Sequence, residues 1–278
     1  MPNETVEDWA TDFDHTDPTY VANPYPIFES IRTSECPIAH SPRYGGAWLP
    51  TTHADVAAIA NDTEHFTSRS VVVTPGRPPL EFAPMGIAPP ISSDPPYHSE
   101  ARRLLLPIFS PQRIAELEAS TRAYCQELIA EAKGKDVVDG AIDYAQHIPV
   151  RVIANMLGLP TQDADLFRQF VHVILEGVAE PFEERVEGFQ GLFEYLQPHI
   201  EARMEQRQED IISLLLDSEI DGAPLTVLHV YRTVALLLIA GIDTTWSGIG
   251  ASLWHLGGHP ADRQRLADGM SSGSSTRR

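Results

Sequence analysis

The sequence predicts a mainly α-helical fold with a small β hairpin near the N-terminus. Three observations carry this reading. Long segments with apolar residues three and four apart dominate after about residue 95. Proline and glycine punctuate the first hundred residues and confine regular structure there to short pieces. One extended stretch, GGAWLPT, reads as a strand or hairpin arm.

The elements follow in order. Residues 1–19 form an acidic tail. NPYPIFESIRTS reads as a helix entered through prolines. After GGAWLPT, residues 53–66 return to helix. Residues 67–93, including VVVTPGRPPLEFAPMGIAPPISS, are too rich in proline for regular structure, and a loop that long is usually functional. Asp94 is read as the cap of a helix whose first turn holds Pro95 and Pro96 and which ends by Pro107. Further helices are expected over residues 111–132, 141–157, 163–179, 182–208 and 225–256. Gly158 and Pro160 stop one of these, and Glu180, Pro181 and Phe182 mark another turn. The last residues, GMSSGSSTRR, read as a disordered tail over 269–278.

Composition excludes several classes of function. The 278 residues are 42% hydrophobic, enough for a sizeable core, and carry a formal charge of -19. That charge opposes binding to phosphate backbones and anionic membranes, so neither nucleic acid nor membrane is an expected partner. The N-terminus has no basic segment followed by an apolar one, which predicts a cytoplasmic protein. The apolar run from Val234 to Ile242 is too short to span a bilayer before Asp243 interrupts it. Cys36 and Cys125 stand far apart in no metal-like spacing and read as buried structural thiols; no metal ligand is assigned.

Two constellations carry chemistry. In ALLLIAGIDTTWSGIG, residues 235–250, Thr244 can turn its hydroxyl back to the carbonyl of Ala240, and the small Ala240 and Gly241 leave a groove beside it. An alcohol and the Asp243 carboxylate at such a groove suit proton transfer to a small molecule. From spacing alone, the same residues also suit a core helix whose polar groups meet a loop. In DPPYHSEARRLLLPIFSP, residues 94–111, His98 and Arg102 share a helical face and can converge on one anion. A solvated amphipathic helix with a Glu100–Arg103 pair is the alternative.

Together and in this order, the two motifs resemble the cytochrome P-450 haem-thiolate monooxygenases, especially the soluble bacterial type. The resemblance runs from about Tyr20 to about Leu266 and includes CPIAHS and WHLGGHPADRQRL. It implies the N-terminal part of that fold over residues 20–268, from the first helix to the helix after the long one. It also implies haem b as cofactor, O2 as co-substrate, a small organic substrate, and a ferredoxin or reductase as electron donor. His98 and Arg102 match the positions that bond the haem propionates, and Ala240 and Gly241 match the oxygen-binding groove. Asp243 takes the acid role and Thr244 the alcohol role in proton delivery.

The sequence departs from the family after the long helix. The Glu-x-x-Arg helix and the glycine-rich loop with the iron-binding cysteine do not appear. Glu100 and Arg103 match Glu-x-x-Arg only formally, and neither Cys36 nor Cys125 has the ligand loop's context. The expectation is a chain cut short by a frameshift, a premature stop or an incomplete gene, and inactive alone. The alternative function is a non-enzymatic helical remnant or interaction protein that binds no haem.

Overall fold

A computed structural model describes residues 5–71, 80–176 and 182–271. The chain divides into two compact units, Met1–Arg103 and Leu104–Arg278.

In the first unit, Asp17 caps α1 (Pro18–Ala22) by accepting from the Thr19 backbone N–H at 2.7 Å. The next helix, α2 (Tyr25–Arg32), buries Ile27 and Ile31. They meet Phe13 and Ala39 in a small core, where the Phe13 and Tyr20 rings pack edge to face at 5.3 Å. Strands β1 (Ile38–Ser41) and β2 (Ala47–Pro50) form the hairpin, pairing His40 with Trp48 and Ala39 with Leu49. Its turn places Tyr44 at φ 58°, a conformation costly for a side chain, and the Tyr44 hydroxyl is held by Asp14 at 2.5 Å. Arg43 clamps the same corner, bonding Asp12 and Asp14 at 2.6–2.8 Å. Helix α3 (His53–Asn61) follows, then α4 (Tyr97–Leu105), which passes into the second unit.

The second unit is helical. It comprises α5 (Pro111–Ala132), α6 (His147–Leu157), α7 (Ala164–Val171), α8 (Phe182–Glu205), α9 (Ile211–Leu216), α10 (Val227–Gly258) and α11 (Pro260–Ser271). A short hairpin of β3 (Glu219–Ile220) and β4 (Ala223–Pro224) separates α9 from α10. The core is built around α10, whose Val230, Val234, Leu238 and Ile242 are fully buried at helical spacing. They meet Val150, Ile153 and Leu157 of α6, Phe167 and Val171 of α7, and Leu192, Leu196 and Ile200 of α8. By length and composition α10 could cross a membrane, yet its first half is spent on this core.

Several elements differ from the sequence reading. Helix α3 stops at Asn61 rather than 66, because the Asp62 carboxylate accepts from the backbone N–H groups of Glu64 and His65 and turns the chain. Asp94 does not cap α4. Its carboxylate accepts from the Thr67 hydroxyl and the Ser68 N–H instead, and the helix begins at Tyr97. The helix expected over 141–157 opens as a π-helical turn at Gly140–Ala145, capped by Asp139, before α6. Residues 269–271, expected in the disordered tail, belong to α11; residues 272–278, 72–79 and 177–181 lie outside the described residues.

Candidate active site on the long helix

The site is built from the middle of α10. Thr226 starts this helix by accepting from the His229 N–H at 3.1 Å, and 32 residues then run without interruption. Residues buried every third or fourth position fix one face in the core, which turns Ala240 and Thr244 outward. The Thr244 hydroxyl donates to the Ala240 carbonyl at 2.9 Å, the back-bond its spacing predicts. Asp243, half-buried, stands next to it, and its carboxylate has no hydrogen-bond partner among the described residues. One turn further on is Gly248, where an added Cβ would meet nothing within 4 Å. Ala240, Thr244 and Gly248 thus form an exposed shelf of small side chains with an alcohol at its centre.

Gly241 also has a role in helix packing. A Cβ built on it would lie 3.2 Å from Ile153 Cδ1, so its missing side chain lets α6 approach α10 closely.

In the first unit, His98 and Arg102 stand one turn apart on α4, His98 half-buried and Arg102 exposed. Arg103 and Glu100 form the pair that the solvated-helix alternative expects, in two bonds of 2.8 Å, and His98 and Arg102 lie on another face. His98 and Arg102 belong to the first unit, and Ala240, Gly241, Asp243 and Thr244 to the second.

Cys36 is exposed rather than buried as the sequence suggests, because it lies at the surface just before the hairpin, where its thiol meets the Ile38 carbonyl at 3.7 Å. Cys125 lies within α5 and meets the Tyr144 hydroxyl; burial, and then this contact, push that phenol up to about 12. Among the described residues no cluster of three or more His, Cys, Asp or Glu is arranged for a metal.

Comparison with known proteins gives a consistent result. The family model described as Cytochrome P-450 matches residues 88–271. Cytochrome P-450 109 of Bacillus spizizenii is 28% identical over 241 residues, covering 84% of this chain and 56% of that protein. Nocardicin C N-oxygenase of Nocardia uniformis is 31% identical over 236 residues, covering 84% of this chain and 58% of that protein. The structure of cytochrome P-450 CYP109Q5 from Chondromyces apiculatus superposes with a TM-score of 0.75 at 28% identity. It covers 95% of this chain and 65% of that one. The chain thus spans a little over half the length of the curated relatives it matches.

Proposed function

Because the chain belongs to the cytochrome P-450 family, we propose that it carries the oxygen-side machinery of a haem-dependent monooxygenase acting on a small organic substrate. The observation that carries this reading is the Thr244–Ala240 back-bond on an exposed shelf of α10 with Asp243 beside it. The shelf fits a flat macrocycle. Its side chains are small, its hydroxyl is already oriented, and among the described residues no atom lies within 4 Å of a Cβ added at Gly248.

When bound, haem would supply the oxidising chemistry, using O2 and electrons from a ferredoxin or reductase. This chain's residues do the rest. By the family resemblance, His98 and Arg102, one turn apart on α4, would hold the propionates as donors. Ala240 keeps the shelf open. Thr244, its hydroxyl proton given to the Ala240 carbonyl, presents oxygen lone pairs to water and orients a proton donor toward the shelf. Asp243 exchanges protons with solvent and resupplies that water. A thiolate for the iron would come from neither Cys36, whose thiol meets the Ile38 carbonyl, nor Cys125, which lies within α5.

A second reading, a helical remnant that binds no haem, draws on the far end of α10, where Trp254 is 81% exposed. One experiment separates the two. Residues 1–268 are joined to the C-terminal part of the Bacillus spizizenii relative, and haem uptake is followed by absorption. The monooxygenase reading expects thiolate-ligated haem in the chimera, and faster haem loss after His98→Ala with Arg102→Ala. A chimera that folds but takes up no haem supports the remnant.

A further inference from the structure

A groove on the second unit, away from the α10 shelf, has a composition that the reading above does not use. It runs between α8 and the first turns of α10 and encloses about 530 Å³. Its floor is apolar: Phe193 and Tyr231 face each other at 5.5 Å between ring centres, with Met204 and Leu228 beside them. Met204 is 50% exposed and Leu228 45% exposed, so the floor is open to water. Glu194 and Glu201 stand along the α8 wall, each touched by a glutamine amide, from Gln190 and Gln197, and neither is in an ion pair among the described residues. Among the described residues the lining contains no Lys or Arg. Tyr231 registers the resulting field, because burial and then the Glu201 carboxylate raise its phenol.

We propose that this groove docks a cationic amphipathic helix of a partner protein. The geometry favours a helix. Glu194, Gln197, Glu201 and Met204 recur at spacings of three and four, the seam one helix offers another lying alongside. The two carboxylates are seven residues apart, about 10 Å along the axis at 1.5 Å per residue. Lysines or arginines two turns apart on the incoming helix match that separation while its apolar face covers the rings. The chain's charge of -19 selects against a second copy of itself and for a basic partner. This inference does not depend on haem.

The test uses the full chain and a synthetic, labelled Leu/Lys amphipathic helix of about 15 residues, read by fluorescence anisotropy. Each variant is first shown to keep the parent's far-UV circular dichroism. The expected result is salt-sensitive binding, weakened about tenfold, or roughly 1.4 kcal/mol, by Glu194→Lys with Glu201→Lys. Leu228→Asp weakens it comparably. Glu35→Lys with Glu131→Lys changes net charge equally on other elements and leaves binding within about twofold. Three outcomes overturn the proposal: equal weakening by the control pair, which signals diffuse attraction; equal binding of a Leu/Glu helix; or no binding. Self-association abolished by the groove variants would assign the surface to a second copy instead, and overturn it too.

Discussion

Arg203 Nε donates to Asp210 Oδ2 at 2.9 Å with both side chains buried, and the same guanidinium reaches the Gly158 carbonyl at 2.5 Å. This contact ties the end of α8 to the start of α9 and the end of α6. Asp210 also caps α9, accepting from the Ser213 N–H at 2.8 Å. Asp210→Ala would leave a buried, unpaired guanidinium and an uncapped helix. Its expected cost is about 3–5 kcal/mol, read as a lower urea midpoint. A loss under about 1 kcal/mol would show the pair to be as weak as a surface one.

Stability should fall in mild acid. His229 is buried on α10, and burial lowers its pKa from 6.5 to about 4. The folded protein therefore keeps a neutral imidazole while the unfolded chain protonates below about 6.5. Folding stability contributed by this site is complete above pH 6.5, declines as pH falls towards about 4, and levels below that. His199 is lowered by burial and by Arg203, so it acts in the same direction. Denaturant midpoints measured across this window check it. Replacing His229 with Gln should flatten the profile; an unchanged slope would remove His229 as the cause.

Gly241→Ala tests the packing role of that glycine. The new Cβ meets Ile153 at 3.2 Å, which opposes the helix-propensity gain of about 1 kcal/mol. In an Ile153→Val background part of the contact is removed. Gly241→Ala should then be more favourable than in the parent by roughly 0.5–1 kcal/mol, measured as a double-mutant cycle. Strict additivity would mean that Gly241 and Ile153 do not compete for space.

The helical architecture was legible because α5, α8 and α10 repeat their apolar residues at helical spacing over many turns. The Thr244 back-bond was legible for a local reason, since a threonine and the carbonyl four residues earlier are neighbours in any helix. Failures came where a side chain had a nonlocal choice. Asp94 looked like a cap, but Thr67 and Ser68, distant in sequence, claimed its carboxylate. The packing of Gly241 against Ile153 was likewise invisible from its sequence neighbourhood. The β3–β4 hairpin was missed although its Asp221–Gly222 turn, with φ of 52° and 74°, is a recognised hairpin signal. The Arg203–Asp210–Gly158 contact joins three helices and could be found only once they were packed.

On the proposed function, the Thr244 hydroxyl, set by its bond to Ala240 and served by Asp243, directs proton delivery. In the haem-loaded chimera, Asp243→Asn should slow turnover while substrate binding changes little, since the ionisable member of the relay is lost. The most direct measurement is product formed per electron pair consumed after Thr244→Ala. The account predicts that reduced-cofactor consumption continues while product per electron pair falls and hydrogen peroxide accounts for the difference. Full coupling of electrons to product in Thr244→Ala would contradict it and leave the threonine as a polar residue of a packing helix.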